Sequence, residues 1–481
     1  MGKKSGLLSN ISWKFAERIT AQLVTLVVSI VLARLLEPKD YGIISIVTIF
    51  ITLANVLVSD GFGSALIQKK DADELDFSTV LFFNIGFSIL LYLFLFFCAP
   101  FISNFYGNEY SILTPVLRVL GLRIIISGIN SVQQAYVSRK MIFRKFFLST
   151  LLGTVVSAVV GIVLAYKGFG VWALVAQYLT NTTVDTIVLA VTVRMPVIFN
   201  FSGKRLKSLL NYGSKILGAS LLITGFQELR ALIIGKIYSS SDLAYYDRGK
   251  QFPSLIVTNI DTSIGAVLFP KMSQLQNDIK TVRETTRNSI RFSAYIMCPL
   301  MLGMAAVAKP FVSLILTDKW LPCVPLLQLF CIVYLFQPIH TANMQAIKAL
   351  GHSDTYLKLE MIKKTIELIS LLVVMWISVE AIVICMAVLT ISFTFVNAYP
   401  NKKLLNYSFK DQMADILPAI FMSLIMAIIV WSISLLQLPL VLGLGLQIVM
   451  GGIIYVLLSI ITRNREMKYI ISVVSSRVTK K

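Results

Sequence analysis

Lys14, Arg18, Gln22, Thr25 and Ser29 follow one another at steps of three and four residues. At 100° per residue these side chains fall within about 80° of a helix circumference. Ser45, Thr48, Thr52, Asn55 and Ser59 make a second stripe, and Asp247, Gln251, Ser254, Thr258, Asp261 and Thr262 a third. Ser220, Thr224, Gln227 and Glu228 line up more loosely. Two further rows are Arg123, Ser127, Asn130 and Gln134, and Gln337, His340, Thr341 and Met344. Arginine offers two parallel N–H donors that match phosphate or carboxylate oxygens. Amides and hydroxyls suit a ligand rich in hydroxyl groups. These rows lie in long apolar surroundings, where an ionised side chain costs at least about 2.5–3.5 kcal/mol at mid-membrane. They must therefore face protein or water. Ser and Thr alone serve equally as close helix contacts; a row holding Lys14 and Arg18 suits a hydrated cavity.

The elements that position these rows are membrane helices. Of 481 residues, 56% are apolar and only 14% charged, with mean hydropathy +0.78. A soluble enzyme and a disordered chain are both excluded by that balance. Spans of about 20 residues give an all-α polytopic membrane protein of about fourteen helices, the first over roughly 11–36 and the last over roughly 440–462. The net charge of +20 reads as basic cytoplasmic loops rather than a nucleic-acid partner. Lys348, Lys358, Lys363 and Lys364 fall in one such inside segment, and Arg248 near an outside turn. The alternation places both termini in the cytoplasm of a cell (inner) membrane protein. Cys98, Cys298, Cys323, Cys331 and Cys385 form no CxxC, and His340 and His352 are the only histidines. Neither zinc nor a disulfide framework is expected, and no cofactor. The loops are too short to carry a catalytic acid or base, so an enzyme is not expected.

A weak repeat appears at an offset of 202 residues. Arg34 lands on Lys236, Asp40 on Asp242, Gly63 on Gly265 and Lys69 on Lys271. Later the offset drifts to 210, where Pro115-Val116-Leu117-Arg118 meets Pro325-Leu326-Leu327-Gln328. An even number of helices separates the halves, so the repeat is parallel. The expected organisation is an N-terminal lobe at 1–200, a second six-helix lobe at 201–408, and two additional helices with a basic tail at 409–481.

The candidate substrate-binding residues are Lys14, Arg18, Gln22, Asn55, Arg123, Asn130, Lys215, Gln227, Arg230 and Gln251. Asp60, Glu228 and Asp261 are candidates for coupling to an ion, with salt-bridge partnership as the plain alternative. Basic residues exceed acidic ones within the spans, which suits an anionic substrate. Arg34, Pro38, Tyr41 and Gly42 read as a turn that closes the first helix.

Ala33-Arg34-Leu35-Leu36-Glu37-Pro38-Lys39-Asp40-Tyr41-Gly42 also resembles the ARxLxPxxYG signature of polysaccharide flippases in the multidrug/oligosaccharidyl-lipid/polysaccharide exporter superfamily. Glu37 stands where that family often has Gly. Gly61-Phe62-Gly63-Ser64-Ala65-Leu66-Ile67-Gln68-Lys69-Lys70, Phe269-Pro270-Lys271-Met272-Ser273 and Gly351-His352-Ser353-Asp354 are similar to strings of the colanic and teichuronic acid exporter branch. The resemblance implies two six-helix lobes and a substrate, an undecaprenyl-diphosphate-linked oligosaccharide repeat unit moved from the inner to the outer leaflet. The polar rows and the basic excess themselves suggest alternating access through a cationic central cavity, with H⁺ or Na⁺ as a coupling ion. A monomer in contact with membrane lipid is expected, beside a polysaccharide polymerase and glycosyltransferases. The alternatives are a cation-coupled multidrug or metabolite antiporter of the same fold and a membrane enzyme of lipid-linked glycan assembly.

Overall fold

The computed structural model describes residues 20–69, 71–107 and 110–468. Their regular structure is helical, with no strand among the described residues. The first helices are α1 Thr20–Leu35, α2 Pro38–Gln68, α3 Glu74–Tyr106, α4 Leu113–Lys140, α5 Phe143–Tyr166, α6 Val171–Val193 and α7 Gly203–Ile237. Then come α8 Ser240–Gln274, α9 Ile279–Ala306, α10 Ala308–Leu316, α11 Cys323–Leu335, α12 Gln337–Ala349, α13 Ser353–Val374, α14 Val379–Leu404, α15 Phe409–Ile433 and α16 Leu440–Ile461. Among the described residues twelve helices are long and apolar enough to cross a membrane, α11 and α12 counting as one. Two more, the shorter α1 and the charge-bearing α13, stand where the first and eleventh of the expected fourteen were placed.

The chain forms two compact units, Met1–Ala244 and Tyr245–Lys481. The helix expected to open a second lobe at 201 thus packs in the first unit, α7 against α2 and α3. Its end is held there by polar contacts. Tyr110 Oη donates to the Gly235 carbonyl at 3.0 Å, and Lys236 Nζ to the Phe105 carbonyl. The core of the first unit joins Phe62 and Leu66 of α2, Phe77 and Val80 of α3, Val132 of α4 and Leu209 of α7. In the second unit Tyr295, Met422, Met426, Leu444 and Tyr455 form a core between α9, α15 and α16. Outward faces are apolar: Phe94, Phe97, Phe101 and Phe105 of α3 are exposed, as a lipid-facing helix requires.

The repeat is visible in how helices begin. α1 ends at Leu35 and α7 at Ile237, while α2 starts at Pro38 and α8 at Ser240, each pair 202 residues apart. Asp40 Oδ2 accepts the Glu37 N–H at 3.3 Å, and Asp242 Oδ2 the Ser239 N–H at 3.1 Å. Each carboxylate satisfies a helix-start donor and favours the dipole. The later register repeats as well. α4 and α11 start 210 residues apart; Arg118 Nε donates to the Phe96 carbonyl at 3.2 Å, and Gln328 Nε2 to the Ala305 carbonyl at 3.0 Å.

Internal prolines explain two of the polar contacts. Pro100 in α3 has no N–H for the carbonyl four residues earlier, Phe96. Arg118 supplies that missing donor. Pro299 in α9 likewise frees the Tyr295 carbonyl, which takes the Tyr455 hydroxyl at 2.8 Å. In lipid a freed carbonyl has no water to turn to.

Several helix starts differ from the expectation. Pro38, Tyr41 and Gly42 do not form a turn but the opening of α2. Proline at the first helical position needs no N–H partner and already has a helical φ, and Asp40 closes the capping box. The basic stretch holding Lys280, Arg283 and Arg287 is the first part of α9 behind its cap Asp278. α13 begins at Ser353 rather than near 358, and it carries Lys358, Lys363 and Lys364.

Candidate functional site

The row on α4 faces α6. Arg123 Nε donates to Thr182 Oγ1 at 2.8 Å, and its guanidinium stands 5.6 Å from the Tyr178 ring centre. Asn130 is buried and donates to Asp185 Oδ2 at 2.9 Å and Thr186 Oγ1 at 3.0 Å. Gln134 Nε2 in turn donates to Asn130 Oδ1. Two sequence-nominated residues, Arg123 and Asn130, are thus brought together in one hydrogen-bonded seam inside the first unit. The seam pins a basic and an acidic residue between two membrane helices, which is a structural use for both.

The remaining candidates of the first unit are spread over α1, α2 and α7. Lys14, Arg18 and the side chain of Lys215 lie outside the described residues. On α1 Gln22 is half-buried. Asn55 is half-buried, and its Oδ1 is inaccessible with no hydrogen-bond partner among the described residues. Asp60 accepts the Ser59 hydroxyl at 2.9 Å. Gln227 is exposed, while Glu228 and Arg230 are half-buried and engaged by partners. Arg34 is exposed and Tyr41 half-buried. Gly42 touches the backbone of Ser240, where a Cβ would come within 1.8 Å of the carbonyl oxygen.

In the second unit Gln251 Oε1 accepts from Arg248 Nη1 at 2.6 Å, and Arg248 stands 5.2 Å from the Trp320 ring centre. Arg248, placed from sequence near an outside turn, is buried. Its signal was available: it stands three residues before Gln251, beside the polar row that Asp247 begins. Asp261 is half-buried beside Thr341 and Gln337 of α12, and its Oδ1 has no hydrogen-bond partner among the described residues.

Those two α12 residues lead into a cavity of about 310 Å³ between α12, α13 and α14. The row Gln337, His340, Thr341 and Met344 forms one wall. Lys348, Tyr356, Glu360, Lys363, Lys364 and Glu367 form another, and Thr390, Phe393 and Asn397 of α14 the third. Lys363 is buried, a feature hidden in the sequence because Lys363-Lys364 looks like an ordinary cytoplasmic pair. Behind the cavity a fully buried amide cluster locks three helices together. Asn343 Nδ2 donates to Gln412 Oε1 at 2.9 Å, and Gln412 Nε2 returns the bond to Asn343 Oδ1 at 3.1 Å. Asn401 Nδ2 reaches the same oxygen at 2.7 Å. Each of these amides is 0% exposed, so the wall carrying His340 is rigidly placed.

Basic residues near the helix ends are tied by carboxylates. Lys69 Nζ lies 2.7 Å from buried Asp76, and Arg205 pairs with Asp73 and Asp76. The Arg205 hydrogen bond lowers the Asp73 carboxyl to about 2. Arg287 holds Asp415 through two bonds of 2.7 and 2.8 Å, and the Tyr407 hydroxyl reaches the same carboxylate at 2.9 Å. Burial, followed by that carboxylate, raises the Tyr407 hydroxyl above its ordinary range.

Comparison with known proteins places this architecture. A teichuronic acid biosynthesis protein of Bacillus subtilis (strain 168), TuaB, is 24% identical over 303 residues, which are 63% of this chain and 62% of that protein. The chain thus matches somewhat under two thirds of that relative's length. Among solved structures, the lipid II flippase MurJ in an inward closed conformation aligns with a TM-score of 0.75 at 15% identity, covering 94% of this chain and 99% of that one. An inward-facing multidrug resistance transporter of the MATE family, in the MOP superfamily, aligns at 0.59 and 16% identity, covering 81% and 96%. The fold is therefore shared by proteins with unlike cargo and does not by itself choose between them. The model of the polysaccharide biosynthesis protein family matches residues 31–325, more than half of the chain, and the chain belongs to that family.

Proposed function

We propose that this protein is a membrane flippase that carries undecaprenyl-diphosphate-linked oligosaccharide repeat units from the inner to the outer leaflet for surface polysaccharide synthesis. One observation carries the reading. A chain of the polysaccharide biosynthesis family keeps polar side chains on its membrane helices outside the α4–α6 seam, as with Gln22 and Asn55. Such groups are costly in lipid and are expected where a polar ligand passes. In this reading Lys14 and Arg18 take the diphosphate, and Asn and Gln side chains hydrogen-bond sugar hydroxyls. The lipid tail stays in the bilayer. Alternating access through a cationic path moves the headgroup, with Asp60, Glu228 or Asp261 binding H⁺ or Na⁺. The protein acts as a monomer in the cell membrane with both termini in the cytoplasm, beside a polymerase and glycosyltransferases, and it catalyses no covalent step.

The second reading is a cation-coupled multidrug antiporter, favoured by the fold likeness to the MATE transporter. A binding competition separates the two. Purified protein in phosphatidylcholine nanodiscs is titrated with undecaprenyl diphosphate and, separately, with a cationic dye such as ethidium. The flippase reading expects saturable binding of the diphosphate and none of the dye. Dye binding that the diphosphate does not displace would favour the antiporter.

A further inference from the structure

We propose that the cavity between α12, α13 and α14 holds a small oxyanion carried by the transported glycan: the carboxylate of an acidic sugar, or a phosphate substituent. This rests on the flippase reading and narrows its substrate to a glycan bearing a negative charge of its own.

The charge balance of the walls supports this assignment. Both glutamates are already matched within α13, Glu360 with Lys363 at 2.6 Å and Glu367 with Lys364 at 3.0 Å. Lys348 is the third cation. Among the described residues it pairs with no carboxylate; its ammonium stands 5.0 Å from the Tyr356 ring centre and 5.9 Å from that of Phe269. A ring face is a weak substitute for a counter-ion. Among the lining residues one positive charge is therefore left over, where an unmatched cation is costly; Asp261, beside Gln337 and Thr341, lies outside the lining.

The hydrogen-bonding groups point the same way. His340 is 9% exposed and lines the cavity. Its Nδ1 lies 2.9 Å from Asn397 Nδ2, so Asn397 donates to it and the ring proton sits on Nε2. Nε2 has no hydrogen-bond partner among the described residues. A buried donor without an acceptor is a cost that an oxyanion removes.

Size limits the occupant. At about 310 Å³ the cavity lies at the lower end of small-molecule sites, which run from about 300 to 1,000 Å³, and suits a group the size of a monosaccharide. A metal cation meets three lysines here, and a neutral sugar leaves the excess charge in place.

The test uses the full-length protein in phosphatidylcholine nanodiscs and calorimetric titration with sodium glucuronate, inorganic phosphate and glucose. Saturable binding of glucuronate with little for phosphate supports an acidic sugar; the reverse order supports a phosphate substituent. Glucose binding as tightly as either anion, or absence of binding by both anions, overturns the proposal. Lys348→Gln is expected to weaken anion binding at least tenfold, and Lys358→Gln, an exposed lysine of α13 that is not on the cavity wall, to leave it unchanged. Should Lys348→Gln not fold, His340→Phe takes its place with the same expected loss. Unaltered binding in the cavity variant also overturns the site. Because binding is read without transport, a protein that moves lipid-linked glycan but binds neither anion refutes this inference alone. One that binds them but moves no glycan refutes the flippase reading alone.

Discussion

Gly42→Ala is expected to cut the amount of folded protein in the membrane at least tenfold. The added Cβ would stand 1.8 Å from the Ser240 carbonyl oxygen and 2.5 Å from its carbon. Both atoms are backbone, so no side chain can rotate away, and α2 must separate from the start of α8. Over-packing of flexible side chains costs about 1–3 kcal/mol; a clash with a helix backbone costs more. The capping boxes of both helices lie beside the contact, at Asp40 and Asp242, and are strained by any shift. Gly63→Ala, twenty-one residues further along α2, is the matched control. Its added Cβ meets nothing within 4 Å. Gain in helix propensity makes that variant neutral or more stable by about 0.5–1 kcal/mol. Size-exclusion chromatography of detergent extracts, with the thermal unfolding midpoint of each peak, measures both. Equal yield and midpoint for the two variants would contradict the packing argument.

Lys14→Ala with Arg18→Ala is expected to reduce export by two to three orders of magnitude while the protein still reaches the membrane. Removing one partner of a desolvated charge-assisted contact costs about 2–5 kcal/mol, and each 1.4 kcal/mol is tenfold in rate. The row these residues begin continues on α1 through Gln22 and Ser29, both half-buried. Lys14→Arg with Arg18→Lys preserves charge and should keep a measurable fraction, Arg at either position being the stronger phosphate ligand. The readout is surface polysaccharide in a complemented deletion strain, normalised to membrane-extracted protein. Full complementation by the alanine pair would remove the headgroup role from both residues.

The helical period was legible where it mattered for the fold. Arg123, Asn130 and Gln134 do share one face of α4, and Gln337, His340 and Thr341 one face of α12. Periodicity gives a face, however, and not its neighbour. The α4 face meets α6 through Thr182, Asp185 and Thr186, whereas the α12 face borders a cavity. The repeat could be read because helix-start chemistry recurs with it: Asp40 and Asp242 must sit at one place to satisfy the same backbone donor. Charge was the misleading signal. Lys363 counts among the inside cations and Arg248 among the outside turns and helix ends, yet both are buried, one against Glu360 and the other bonded to Gln251. A long side chain paired inside the protein has the same one-letter code as one in water. Pro38 and Gly42 misled similarly, since the residues that build a turn also start a helix and allow a close backbone approach.

The central claim is that the cargo crosses the bilayer through this protein. It is tested most directly in a strain deleted for the gene with its first glycosyltransferase intact. Undecaprenyl-linked intermediates are extracted, and their leaflet is assigned by access to a membrane-impermeant glycosidase in intact cells. The account predicts that a complete repeat unit accumulates on the cytoplasmic face and returns to the outer face when the wild-type gene is restored. A complete repeat unit on the outer face without the gene would contradict it.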